Sequence, residues 1–247
     1  NIIGSNIANI LLILGISAAI FPLALKKGTV WKEIPLCFLA VLLVLFMAND
    51  AFTDGADFSL LTRIDGLVLL AFFIIFLYYS FGVSKVVAGD EERIARYPFL
   101  KSVAMIAAGL VCLIVGGKWI VDGAVAVAHL FEVSEALLGV TIVAVGPALP
   151  ELATSVVAAR KKHVDIAVGN IVGSNIFNIF FILGASALIR PLEFSSSLIS
   201  DVFVALGATF LLFFAMFIGA KNILERWQGV TFIILYILYI AYLVMRG

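Results

Sequence analysis

The stretch NIIGSNIANILLILGISAAIFP, Asn1 to Pro22, returns as NIVGSNIFNIFFILGASALIRP, Asn170 to Pro191, at a constant offset and without a gap. Most positions are identical. Polar ones are among them: Gly4, Ser5, Asn6 and Asn9 stand against Gly173, Ser174, Asn175 and Asn178. Polar groups inside two otherwise apolar helices are costly in lipid, so their repetition points to binding. A duplicated, interrupted hydrophobic segment is the sequence mark of a secondary transporter.

The rest of the chain agrees with a membrane setting. Hydrophobic residues make up 64% of it and charged residues 13%, where a soluble domain is roughly half apolar. A span needs about 20 apolar residues. Eight runs approach that length, near 1–21, 34–48, 64–82, 101–120, 136–158, 166–189, 198–219 and 228–245. The second is short and the fifth is interrupted by Gly and Pro. This is an all-α polytopic membrane protein; a β-barrel would show short alternating strands instead. Net charge is zero, and nothing in the chain resembles a nucleic-acid surface, a P-loop or a nucleophile–base pair. Cys37 and Cys112 fall in predicted spans and read as packing residues, with no disulfide or zinc framework. His129 and His163 sit apart in loops. The acidic stretch Asn49 to Asp57 fits no complete EF-hand and reads as a solvated loop.

Alternate loops carry the cations. One set holds Lys26, Lys27, Lys32, Lys85, Arg93, Arg96, Lys101, Arg160, Lys161, Lys162, Lys221 and Arg226; the other holds Arg63, Lys118, Arg190 and Arg246 among several acids. The positive-inside rule makes the first set cytoplasmic and leaves the carboxyl terminus outside.

The repeat extends beyond Pro22. Lys32 to Phe46 resembles Leu198 to Phe213, and Arg63-Ile-Asp-Gly66 resembles Arg226-Trp-Gln-Gly229, each ahead of an apolar span. Equivalent helices are the first and sixth, then the second and seventh. An odd separation reverses their direction, so the repeat is inverted. The organisation expected is a partial first repeat of three helices over 1–82, a short cytoplasmic linker over 83–100, and a second repeat of five helices over 101–247. The first copy lacks counterparts for the spans at 101–120 and 136–158. That predicts a ten-helix, five-plus-five fold whose first two helices, about 70 residues at the usual span length, are absent from this chain. Because position 1 already lies in a span, the start reads as something other than a natural amino terminus.

Glu151 lies near the middle of the fifth run, VTIVAVGPALPELATSVVAA (Val140 to Ala159). An ionisable group at that depth costs several kcal/mol unless paired or hydrated. Pro147 and Pro150 lack N–H groups, so the carbonyls of Val143 and Gly146 lose their helical partners. Free carbonyls are tolerated in lipid only where they line a cavity or bind an ion. A carboxylate with freed carbonyls suits hard cations such as Ca²⁺ and Na⁺. Ser174 and Asn178 share one helix face, as do Ser5 and Asn9. Each can donate oxygen to an ion or hydrogen-bond across helices. Asn6 and Asn175 read as structural amides that hold the copies together, and Gly169 and Gly173 as a spacing that admits close helix approach.

These residues resemble the calcium:cation antiporter superfamily, the sodium/calcium exchangers in particular. That family carries paired inverted repeats, each with a G-[TS]-S-x-P-E segment and then G-N-x-x-G-S-N-x-x-N on the next helix. Here the second repeat reads Gly146-Pro-Ala-Leu-Pro150-Glu151, then Gly169-Asn170-Ile-Val-Gly173-Ser174-Asn175-Ile-Phe-Asn178; the first reads Asn1-Ile-Ile-Gly4-Ser5-Asn6-Ile-Ala-Asn9. The resemblance covers essentially the whole chain. It implies Glu151 as the principal carboxylate for Ca²⁺ and Na⁺, with Asn178 and Asn9 as ligands. It implies Ser174 and Ser5 as sodium-site hydroxyls, and the carbonyls of Pro147 and Ala144 as further ligands. It also implies a midplane site with alternating access by sliding helices. The chain departs at Pro147-Ala148, where the family has Thr-Ser: a carbonyl survives at 147, but a hydroxyl that would ligate sodium is gone at 148. The matching Glu of the first repeat is also absent.

The reading is therefore a transporter and no enzyme: an antiporter exchanging Ca²⁺ for Na⁺, with no cofactor and the lipid bilayer as its setting. The short linker leans towards a prokaryotic plasma (inner) membrane. The rival readings are H⁺- or K⁺-coupled exchange in the same fold, for which a protonatable Glu151 would suit H⁺, or a degenerate non-transporting subunit. Oligomeric state is left open.

Overall fold

Long apolar runs with few breakers form helices because lipid leaves backbone polar groups no other partner. In the computed structural model residues 1–49, 59–86, 97–130 and 148–246 are described. They form eight helices: α1 (Ile2–Ile20) and α2 (Thr29–Met47), α3 (Arg63–Val86), α4 (Phe99–Leu130), α5 (Leu149–Arg160), α6 (Val164–Ile189), α7 (Ser196–Ala215) and α8 (Arg226–Arg246). All but α5 are long and apolar enough to cross a membrane. The fifth predicted span, 136–158, is described only from residue 148 onward. The linker residues Ala88 to Arg96 and the acidic stretch Asp50 to Asp57 lie outside the described residues.

Three boundaries differ from expectation. The second span begins at Thr29 rather than 34, because Lys32 and Glu33 mask its first turn from a hydropathy reading. That turn is π-helical over Thr29–Glu33, just ahead of Pro35, which cannot donate to a carbonyl four residues back. The fourth span runs on to Leu130. The seventh stops at Ala215 rather than 219: Gln228 donates from Nε2 to the carbonyls of Ala215 at 2.9 Å and Ile218 at 3.0 Å. It thereby satisfies orphan groups at a helix end.

Helices α1 and α6 form the centre. Two thirds of the apolar window of α1 and half that of α6 are buried, whereas α4 buries none of its window. The two polar motifs therefore lie on the two most enclosed helices. Each of these helices widens into π geometry beside its second asparagine, α1 over Ala8–Leu14 and α6 over Asn178–Leu183. Such widenings are frequent at functional sites.

The inverted repeat appears as contacts made twice. Strand β1 (Leu23–Ala24), after α1, pairs antiparallel with β4 (Ile223–Leu224), ahead of α8. Strand β2 (Ser59–Leu61), ahead of α3, pairs antiparallel with β3 (Leu192–Phe194), after α6. The end of α1 packs on α8 and the end of α6 on α3. Lys26, beyond the end of α1, meets Asp165 at the start of α6 at 2.6 Å, so α1 and α6 are antiparallel and the two strand pairs sit at opposite ends. The predicted sidedness follows: the loops of Lys26 and Lys221 share one end, while those of Arg63 and Arg190 share the other, where Arg63 Nη2 reaches the Ile189 carbonyl at 3.5 Å.

Close helix approach is made by glycines other than those expected. A Cβ on Gly66 would lie 2.6 Å from the Gly184 carbonyl oxygen, and one on Gly229 would lie 2.6 Å from that of Gly15. Those two crossings are equivalents under the repeat. A Cβ on Gly169 or Gly173 would meet nothing within 4 Å among the described residues. Among the described residues this GxxxG pair therefore admits no neighbour, and the close approaches are made by the Gly of the Arg-x-x-Gly motifs.

Candidate ion site

Asn6, Asn9 and Asn175 are buried, and buried amides must find partners. They find them in one another, across the crossing of α1 and α6. Asn6 Nδ2 donates to the Asn175 backbone carbonyl at 3.2 Å, and Asn175 Nδ2 donates to the Asn6 carbonyl at 3.2 Å. Asn9 Nδ2 donates to Asn175 Oδ1 at 2.8 Å, and Asn178 Nδ2 donates to Asn6 Oδ1 at 3.0 Å. The network has the same twofold character as the fold. It bears out the structural role expected of Asn6 and Asn175.

Glu151 occupies the first turn of α5, whose first helical residue is Leu149 and whose N-cap is Ala148. A helix N-terminus carries partial positive charge and favours a carboxylate there. Even so, Glu151 Oε2 is buried and has no hydrogen-bond partner among the described residues. Leaving a buried charged oxygen unsatisfied costs several kcal/mol, so the arrangement suits a carboxylate that awaits a cation. Two bonds hold α5 against α6: Asn170 Nδ2 donates to Ser155 Oγ at 3.3 Å, and Ser155 Oγ donates to the Ala167 carbonyl at 3.4 Å. The sequence reading assigned neither Ser155 nor Asn170 this part. A clue was available in Ser155, a small hydroxyl one turn beyond Glu151.

Glu151, Asn9, Asn178 and Ser5 line one cavity of about 220 Å³, together with Asn1, Ile2, Ala148 and Ile182. Four of the seven expected ligands therefore converge from three helices. Ser174 does not line it; its hydroxyl accepts from Asn9 Nδ2 at 3.3 Å, while Ser5, its equivalent, faces the cavity. Pro147 and Ala144 lie outside the described residues, as do the carbonyls of Val143 and Gly146. Ala148 is one of the lining residues, at a position where the family pattern has a hydroxyl. The oxygens offered are hard, from a carboxylate, amides and a hydroxyl, which favours alkali and alkaline-earth cations over zinc or copper.

A membrane-spanning inverted repeat enclosing an oxygen-lined cavity at the crossing of its central helices defines a secondary cation transporter. Comparison with known proteins is specific. The family model described as sodium/calcium exchanger protein matches residues 1–82 and 101–245, and the chain belongs to that family. It is 34% identical over 250 residues to the putative antiporter CaxA of Alkalimonas amylolytica, covering 97% of this chain and 76% of that protein. It is 38% identical over 201 residues to inner membrane protein YrbG of Escherichia coli (strain K12), covering 77% of this chain and 59% of that protein. Among solved structures it resembles the sodium-calcium exchanger NCX_Mj soaked with 10 mM Na⁺ and 10 mM Sr²⁺, with a TM-score of 0.75 and 34% identity over 98% of this chain and 74% of that one.

Proposed function

We propose that this chain carries the ion site of a secondary antiporter that exchanges Ca²⁺ for Na⁺ across a membrane. The observation that carries the reading is the buried, unpartnered Oε2 of Glu151 beside a cavity lined by Asn9, Asn178 and Ser5. Glu151 is the principal ligand, Asn9 and Asn178 supply amide oxygens, and Ser5 supplies a hydroxyl for Na⁺, whereas the Ser174 hydroxyl bonds to Asn9. The family resemblance would add the carbonyls of Pro147 and Ala144, which lie outside the described residues. Ca²⁺ and Na⁺ compete for these oxygens. Moving the empty site through its occluded state would bury an uncompensated charge, so the occluded state forms only around a bound cation, and exchange is obligatory.

The repeat organisation supports residues 1–82 and 101–247 as parts of two opposed repeats joined by a linker at 83–100. The name of the Escherichia coli relative supports a prokaryotic inner membrane. The methyl of Ala148 favours weakened Na⁺ coupling, with K⁺ or H⁺ as the competing counter-ion.

The test is radioactive Ca²⁺ uptake into proteoliposomes with and without an outward Na⁺ gradient. Gradient-driven uptake is expected. Glu151→Gln keeps the shape and removes the charge, and should lower Ca²⁺ flux about 100-fold, as loss of one member of a buried charged pair would, with unchanged elution on size exclusion. Full flux in Glu151→Gln would overturn the site. Uptake driven by K⁺ or H⁺ alone would reassign the coupling ion, and none with any gradient would support the non-transporting reading.

A further inference from the structure

The amides of Asn9 and Asn178 can help bind a cation only if their oxygens, not their nitrogens, face the cavity. Nothing in either side chain decides this, because the two ends of an amide have nearly the same shape. The surrounding network decides it. The Asn6 backbone carbonyl can only accept, so Asn175 must turn Nδ2 towards it. Asn175 then presents Oδ1 to Asn9, which must answer with Nδ2, leaving Asn9 Oδ1 for the cavity. The same logic starts from the Asn175 carbonyl, turns Nδ2 of Asn6 towards it, presents Asn6 Oδ1 to Asn178 Nδ2, and leaves Asn178 Oδ1 for the cavity. Ser174 Oγ also receives Asn9 Nδ2, but a hydroxyl donates or accepts equally well and specifies nothing.

We infer that Asn6 and Asn175 are positioning residues which, each anchored on the other's backbone carbonyl, hold the Asn178 and Asn9 amides oxygen-first towards the transported cation. The inference rests on the ion-site reading above. It assigns the pairs crosswise: Asn175 acts on Asn9, and Asn6 acts on Asn178.

The test measures KM and maximal rate for Ca²⁺ in Na⁺-loaded proteoliposomes. Asn9→Ala and Asn175→Leu should each raise KM roughly fivefold or more. The double variant should be no worse than Asn9→Ala, because Asn175 acts through Asn9. The crossed double, Asn175→Leu with Asn178→Ala, should instead approach the product of the two single effects, since Asn178 is oriented by Asn6 and not by Asn175. Asn175→Ala also removes the acceptor that faces Asn9, should raise KM as Asn175→Leu does, and serves as the second variant if the leucine protein does not fold. A KM that multiplies in the within-pair double as it does in the crossed one would overturn the positioning role and leave Asn175 a packing residue. So would an unchanged KM in both Asn175→Leu and Asn175→Ala. An unchanged KM in Asn9→Ala would instead overturn the ligand assignment itself, and the positioning role with it.

Discussion

Ala148 shares a cavity wall with Glu151, and it is a place where one atom separates this chain from the family pattern. Ala148 is buried and caps the start of α5, so a hydroxyl added there would face the same space as the carboxylate. The family pattern that this chain resembles has a sodium-ligating hydroxyl at this position. Ala148→Ser should therefore lower the Na⁺ concentration for half-maximal Ca²⁺ release by about threefold to tenfold, the worth of one polar contact, while changing the KM for Ca²⁺ less. A Na⁺ titration on reconstituted vesicles reads this directly; an unmoved midpoint would mean that position 148 lies outside the sodium shell. How far a residue's role could be read from sequence also shows here. Glu151 stands out because a carboxylate in an apolar run demands an explanation. The sequence reads Asn6 as a structural amide and Asn9 as an expected ligand, but which group each amide meets is visible only at the crossing with α6.

At the scale of elements, the two glycine crossings hold the framework around the site. The end of α1 meets α8 at Gly15 and Gly229, and the end of α6 meets α3 at Gly184 and Gly66, at backbone contact distance. Phe72 stacks on Phe180 at 5.6 Å just beyond the second crossing. A methyl at Gly66 or Gly229 would press on the facing helix's backbone and on the Cβ of Ala187 or Ala18, none of which can swing away, so Gly66→Ala and Gly229→Ala should each destabilise by about 1–3 kcal/mol, as overpacking does. Gly4→Ala, with nothing within 4 Å of its Cβ, should be neutral. Thermal unfolding in detergent would separate the three, and equal melting temperatures would refute the crossing as a tight contact. The Arg-x-x-Gly repeat is legible as a repeat; its purpose is not, because a glycine's neighbour is supplied by a helix more than a hundred residues away.

For the molecule as a whole, the two strand pairs at opposite ends make a prediction about topology. Leu25 donates its N–H to the Asn222 carbonyl at 2.8 Å, joining the loop of Lys26 and Lys27 to that of Lys221. Glu193 lies in the pair at the other end. In a background with Cys37→Ala and Cys112→Ser, single cysteines at Lys27 and Lys221 should be labelled by an impermeant maleimide from the same face of a sealed vesicle, and one at Glu193 only from the opposite face. Labelling of all three from one face would refute the inverted arrangement. The surplus of Lys and Arg on the first face makes it the cytoplasmic one.

By itself the sequence determined that the chain spans a membrane and that it contains an inverted repeat, and it singled out the polar duplication and one carboxylate as the expected oxygen site for cations. These follow from local rules: hydropathy, spacing, and the cost of a charge in lipid. The tertiary structure alone decided which oxygens face the cavity, why Ser5 lines it while Ser174 bonds to Asn9, and which glycines touch. An amide's orientation, a hydroxyl's partner and a backbone contact are set by groups brought from the other repeat, and no local pattern in the chain encodes which of two equivalent residues will meet them.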